Sequence, residues 1–349
     1  LKVIDIDIEE RPSGEISLQA GFGTTGEIIG AGIKEKNFLG KGINLNTNLD
    51  LTPESIKGQF IYAKPNFNNT DNTLFTSLKS STNDYLTDSG FKTSELGFSL
   101  GTKFEQYQNI FLSPELDFLL EDLETSNKAS DILKKQEGSY TDLYFNYTIN
   151  QDLRDRKFRT ESGYQTFFSQ EVPIISDNSE FSNSFEVTKY KKLSARSDTV
   201  GKISFYAKTI TGLSDDVRIS KRLNIPTVKL RGFEKGRVGP VDNNDYIGGN
   251  HVSALNMSAT LPNIFEGLDN LDIGVFFDAA NLWGVDYNSS LDDKSTIRSS
   301  AGVAFNLMTP IGPLSFSFAN ALTKASSDKT ETFRFSLGTQ FWWGLFLKR

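Results

Sequence analysis

A chain of 349 residues with 28 phenylalanines, 2 methionines, one histidine and no cysteine has 37% apolar residues and a formal net charge of −7. This inventory excludes a disulfide framework, a thiolate nucleophile, a cysteine zinc site and a multi-histidine metal centre; it points to no cofactor, and its acidic balance speaks against a nucleic-acid partner. The longest nearly unbroken apolar run, 341–347, falls far short of the roughly 18 residues that a membrane-spanning helix needs.

In chain order, Val3-Ile4-Asp5-Ile6-Asp7-Ile8-Glu9-Glu10-Arg11-Pro12 alternates like a single strand with an acidic face and stops at proline. Residues 1–12 are therefore expected to be the last strand of a soluble domain cut away upstream, with residues 13–349 forming the main domain. Leu1–Ala20 lacks the apolar block of a signal peptide. From Glu15 onward, period two takes over. Ile16, Leu18, Ala20 and Phe22 alternate with Glu15, Ser17, Gln19 and Gly21; Ile203, Phe205 and Ala207 with Ser204 and Tyr206; Leu271, Ile273, Val275 and Phe277 with Asp272, Gly274, Phe276 and Asp278. Ala301, Val303, Phe305 and Leu307, then Phe333, Phe335, Leu337 and Phe341, repeat the pattern near the end, and helical spacing fits none of these segments.

Such segments cover 15–23, 28–36, 42–52, 55–65, 73–82, 91–105, 108–120, 139–151, 162–172, 182–194, 199–211, 250–261, 270–281, 296–308, 313–323 and 332–342. Most have about the length of a tilted membrane strand, and Gly/Asn/Asp/Ser-rich breaks separate them. The expected fold is all-β, an antiparallel transmembrane β-barrel of about 16 strands, an even number as single-chain bacterial barrels have. A soluble sandwich would use shorter strands around a shared core. Trp283, Trp342, Trp343 and strand-end tyrosines would supply interfacial girdles. Two connections are expected to be long: the charged Glu121–Gly138 and Thr211–Gly249. Long patternless segments are usually functional or disordered.

Several motifs resemble one family. Ile6-Asp7-Ile8-Glu9-Glu10-Arg11-Pro12 before a glycine-bearing strand, Asn150-Gln151-Asp152-Leu153-Arg154-Asp155-Arg156-Lys157-Phe158 with Gly163, Leu230-Arg231-Gly232-Phe233, Phe276-Phe277-Asp278, Met308-Thr309-Pro310-Ile311-Gly312-Pro313-Leu314 and Phe333-Arg334-Phe335-Ser336-Leu337-Gly338 stand in the order found in BamA-type outer-membrane assembly factors. These belong to the POTRA-barrel transporter superfamily. The resemblance implies a truncated POTRA domain in 1–12, a bacterial outer-membrane location, and a long loop folded into the lumen. It also implies unfolded outer-membrane protein clients, surrounding lipids, and accessory lipoproteins reached through the upstream domains. The sister readings are a two-partner secretion or TamA-type translocation pore; Thr309–Leu314 leans toward the assembly factor.

Period two puts Asp278 on the luminal face with Gly274 and Phe276. An arginine on an inward-folded loop suits it, since guanidinium and carboxylate pair as a bidentate fork, and Gly232 permits the turn beside it. Arg231, Gly232, Phe233, Phe276 and Asp278 are thus the expected loop clamp. Ser258 stands four residues before Pro262 where the family often has a glutamate, leaving a second carboxylate partner open. The family's lateral gate lies between the first and last strands and maps here onto Ile16, Leu18, Gly21, Gly23, Phe335, Leu337 and Gly338. There the first strand templates a client strand by β-augmentation. The family usually ends at the aromatic closing the last strand; here Trp343–Arg349 extends beyond, either folded over the seam or lying at the membrane interface. An enzyme is disfavoured, because His251 has no nucleophile or acid at a telling spacing. A passive porin has no need of the arginine-glycine-aromatic signature.

Overall fold

The computed structural model describes residues 13–157, 159–194, 198–262, 270–309 and 312–343. The strand expected at 1–12, Pro310, Ile311 and the extension after Trp343 lie outside the described residues. Sixteen strands close into an antiparallel barrel: β1 (Gly14–Gly23), β2 (Gly26–Phe38), β3 (Ile43–Leu51), β4 (Ser55–Lys64), β5 (Thr73–Tyr85), β6 (Phe91–Tyr107), β7 (Ile110–Thr125), β8 (Gly138–Asp152), β9 (Gly163–Ser176), β10 (Glu180–Lys192), β11 (Val200–Gly212), β14 (His251–Pro262), β15 (Leu271–Trp283), β16 (Arg298–Thr309), β17 (Gly312–Thr323) and β18 (Phe333–Trp343). A two-stranded hairpin, β12 (Val241–Asp242) and β13 (Asp245–Tyr246), sits in the long loop. Its turn residues Asn243 and Asn244 both have positive φ, as a two-residue turn matched to strand twist requires. Among the described residues no helix is long and apolar enough to cross a membrane.

The expected alternation is realised inside out. Ile16 and Phe22 are 55% and 60% exposed on the outer wall, while Ser17 between them is buried toward the lumen. Every backbone polar group in hydrocarbon must be paired, and a closed barrel achieves this without an edge. Around β16–β18 the outer wall is an aromatic ladder: Phe318 packs on Phe333 with centroids 5.0 Å apart, Phe333 stacks on Phe335 at 6.0 Å, and Phe335 meets Phe22 of β1 edge-on at 5.5 Å.

One expected connection is not a loop throughout. Glu121–Thr125 continue β7, pairing with Gly138–Tyr140 and with Phe91–Glu95. Within the rest, Asp131–Lys134 forms a single helical turn, α1, capped by the Ser130 hydroxyl, which accepts from Leu133 N. The charged stretch misleads because alternation survives through it: Glu121 and Leu123 both face inward and are buried.

The apolar core gathers where the long loop meets the wall. Phe91, Leu123, Ala129, Leu133, Ile219, Ile247 and Val285 pack together, with Tyr85, Tyr140, Tyr287 and Leu291 against them. They come from strand ends, α1, the long loop and the β15–β16 connection, so the cap joins pieces that period two leaves unconnected.

Because Phe277 lies mid-strand on the outer wall, Phe277→Lys should destabilise the barrel by about 2–4 kcal/mol, the cost of a cation at the bilayer midplane. Denaturant titration in phospholipid vesicles measures this; an unchanged midpoint would place residue 277 away from lipid.

Candidate functional site

The long loop between β11 and β14 crosses the lumen on a series of arginines. At its root Arg218 is fully buried. Its Nη2 donates to Asp142 (2.6 Å) and Glu180 (3.0 Å), its Nε to Glu180 (3.1 Å), and Glu121 lies 3.7 Å from Nη1. Tyr140 covers the guanidinium face at 4.4 Å. Three carboxylates from β7, β8 and β10 thus converge on one cation, and Lys221 adds a second charge 3.1 Å from Glu121. Next, Arg222 donates to Asn250 Oδ1 (3.0 Å), Val217 O (3.0 Å) and Asp286 (2.5 Å). Burial opposes ionisation of Asp286, but the Val217 N–H and the Arg222 charge outweigh it and hold the carboxyl below its usual range. This tie therefore survives until the pH falls below ordinary carboxylate values.

Of the five expected clamp residues, Arg231 meets Asp278 and Phe276 at the wall, while Phe233 packs with Leu230, Val238, Ala254 and Ala280. Arg231 Nε and Nη2 donate to the two Asp278 oxygens at 2.7 and 2.8 Å, and the Arg231 backbone N–H adds a third bond at 3.2 Å. Its guanidinium carbon lies 3.4 Å from the Phe276 ring centre. Asp278 is 0% exposed, and its remaining acceptor capacity is used by Asn256 Nδ2 at 2.8 Å, which also donates to Lys229 O at 2.7 Å. The family's glutamate position, Ser258, pairs instead with Phe276, whereas Asn256 stands directly across the ladder from Asp278. The second partner is thus an amide two residues earlier on the same luminal face. Gly232 has φ +86°, and a Cβ there would meet Ala319 and Ser300 side chains at 3.1 and 3.2 Å; both the turn and the close approach to the wall require glycine. Ser300 Oγ donates to Arg231 O at 2.5 Å, and Phe233 is buried.

Arg334 of β18, quoted only within the closing motif, proves to be a fastening point. It donates to Thr227 O (2.9 Å) and Phe233 O (2.6 Å) on either side of the clamp and pairs with Glu331. Arg298 of β16 holds Asp328 of the β17–β18 loop at 2.9 Å, and Asp328 accepts from Gly239 N at 3.2 Å. Sequence reading found Arg231 and passed over Arg218, Arg222, Arg298 and Arg334. Their common signal is an arginine in or facing the long loop, but their carboxylate and carbonyl partners lie too far along the chain for spacing to reveal them. His251 packs at a tilt against Trp283 at the strand end, centroids 5.5 Å apart.

The seam between β1 and β18 is zipped over eight residue pairs, from Ile16 opposite Trp343 to Gly23 opposite Ser336, with Thr24 N donating to Phe335 O at 3.1 Å beyond. Gly21 faces Gly338 directly, and Phe22 faces Leu337. A Cβ on Gly23 would stand 2.5 Å from Phe335 O, so the glycine admits the last strand's backbone. The expected seam residues Ile16, Leu18, Gly21, Gly23, Phe335, Leu337 and Gly338 thus all lie on the two strands that close the barrel.

The Omp85 superfamily domain matches residues 37–341. The chain is similar to the outer membrane protein assembly factor BamA of Neisseria meningitidis serogroup B (strain ATCC BAA-335 / MC58), 25% identical over 97% of this chain and 48% of that protein. BamA of Neorickettsia risticii (strain Illinois) is 22% identical over 97% and 46%. The chain spans about half the length of these curated relatives. Among solved structures, BamA from Haemophilus ducreyi lacking POTRA domains 1–3 superposes with a TM-score of 0.84 at 23% identity, over 95% of this chain and 71% of that one. CdiB from Acinetobacter baumannii gives 0.60 at 12% identity, over 94% and 60%.

Breaking a buried ion pair from one side costs about 3–5 kcal/mol. Arg231→Ala should therefore leave a folded, heat-modifiable barrel while hydrogen exchange around 227–237 speeds up by roughly a hundredfold or more. Asp278→Arg alone should do the same, and combining it with Arg231→Asp should restore part of the protection; equal exchange in all variants would remove the clamp from the energetics of the loop.

Proposed function

The chain belongs to the Omp85 superfamily, and on that premise we propose that it folds other β-barrel proteins into the bacterial outer membrane at the seam between β1 and β18. The seam itself carries this reading. Its two strands are joined by backbone bonds over eight pairs, with Gly21 opposed to Gly338 among them, so an incoming strand can replace β18 on β1 bond for bond. A backbone hydrogen bond contributes only about 0.5–1.5 kcal/mol net, and exchanging one ladder for another leaves the sum nearly unchanged. The step needs no nucleotide and no catalytic group. It is β-augmentation at an edge that exists only while the seam is open.

Clients in this reading are unfolded outer-membrane proteins that present an amphipathic strand. Lipids contact the apolar outer wall, and accessory lipoproteins dock on upstream POTRA domains. Residues Arg231, Gly232, Phe233, Phe276 and Asp278 act as a clamp that keeps the loop inside the lumen while strands exchange. The apolar cluster favours a gate over a passive pore, because Ile219 and Ile247 of the loop pack there against Phe91 and Leu123 of the wall and tie the loop to it.

The test is a disulfide across the seam. Phe22 and Leu337 are direct register partners, a separation that a Phe22→Cys/Leu337→Cys pair can bridge. Oxidised protein should lose client insertion and regain it on reduction, whereas unaltered assembly of clients with the seam locked refutes lateral gating. Arg231→Ala should slow client insertion with the seam free; insertion at the parent rate would take the clamp out of the function.

A further inference from the structure

The long loop is bound unequally to the two sides of the seam. Toward the last strand it is joined by main chain. Phe233 bridges Thr330, Glu234 N donates to Lys329 O at 3.1 Å, Lys329 N to Arg237 O at 3.0 Å, and Glu331 N to Gly232 O at 3.1 Å. Toward β6 it packs into the apolar cap, Ile219 and Ile247 in one cluster with Phe91. Asp88 in the β5–β6 turn accepts from Tyr246 N at 3.0 Å and pairs with Arg237. Tyr246 reaches the other side as well, donating its hydroxyl to Ser327 O at 2.6 Å. The loop, β6 and the last strands are therefore one tied body.

Toward β1–β4 the picture changes. Among the described residues, the hydrogen bonds from the loop to these strands and their turns come down to Lys235 Nζ and Glu54 Oε2 in the β3–β4 turn, 2.6 Å apart. Both side chains are open to water, 46% and 37% exposed. A cavity of about 650 Å³, lined by both residues together with Thr24, Glu27, Pro53 and Glu234, separates the loop from the ends of β1–β4. Open space stands where the other side has packing.

We propose that Lys235 and Glu54 are positioning residues of the gate, a releasable latch that holds β1–β4 to the loop while the seam is closed and parts when it opens. The inference rests on the lateral gate proposed above. The asymmetry follows from dielectric. Releasing Arg231 from Asp278, or Arg218 from its carboxylates, would strand a buried charge. Parting Lys235 from Glu54 leaves two solvated groups and loses only what an exposed pair is worth. When β1 moves away from β18, the loop stays with the last strands and β1–β4 swing free at this contact. A solvated pair is also screened by salt, which buried pairs resist.

The experiment uses the full-length protein in phospholipid vesicles without clients and follows the rate of oxidative crosslinking of the Phe22→Cys/Leu337→Cys pair. Glu54→Lys should slow crosslinking by roughly two- to tenfold, the range set by losing one exposed attraction and adding a repulsion. Adding Lys235→Glu should restore the parent rate. Raising salt from about 0.05 to 0.5 M should slow the protein with Glu54 in place and leave Glu54→Ala unchanged, a comparison that decides the matter even where Glu54→Lys does not fold. Crosslinking at the parent rate in Glu54→Lys, failure of the swap, or an equal salt response in Glu54→Ala overturns the latch. If any of these occurs while the oxidised seam still blocks client insertion, the latch fails and the gate stands.

Discussion

Hydrocarbon offers no partner to a backbone N–H or carbonyl, so a sheet placed in it must close on itself. Everything else in the molecule follows from that constraint. Closure sends one side chain of every two outward, which turns the polarity of an ordinary globular protein inside out: leucine, isoleucine and phenylalanine on the surface, serine, asparagine and charged groups within. It also makes the pairing of β1 with β18 the contact that seals the barrel, between its first and last strands. Function, in the reading given above, uses that one non-local ladder.

A polar lumen in turn accommodates a loop that a hydrophobic core would reject. The loop carries several arginines, and each charge is matched where it comes to rest: Arg218 by three carboxylates, Arg231 by Asp278, Arg222 by Asp286. Burying such charges is costly unless they are paired and their hydrogen bonds satisfied, so these ties specify one placement of the loop more than they add stability. The matching is densest at the root and at mid-lumen, and thinnest where Lys235 meets Glu54 in the open.

Period two alone located all sixteen barrel strands, because lipid on one side and polar lumen on the other impose the alternation with little interference from tertiary context. It also put Asp278 and Phe276 on the luminal face, where Arg231 meets them. What it could not provide was anything that depends on register between distant segments. Asn256 completes the Asp278 shell because it lies across the ladder, a fact no spacing within β14 discloses. Glu121 looked like the start of a charged loop, yet its neighbours continue the strand, and its carboxylate serves Arg218 and Lys221 from far along the chain. Arg334 reads as an ordinary polar residue between two phenylalanines until the loop carbonyls arrive beside it.

The apolar cap has a consequence for permeability. A wall that parts along its height would expose the lumen to lipid on one flank, and in an open-ended barrel the same movement would enlarge a through-channel for ions and small solutes. Here Phe91, Leu133, Ile219 and Ile247 pack together from β6, α1 and the loop, none of which belongs to the seam. In the reading given above, a sideways opening would leave that cluster intact. On that reading the wall hinges while the packing between loop and β6 stays whole.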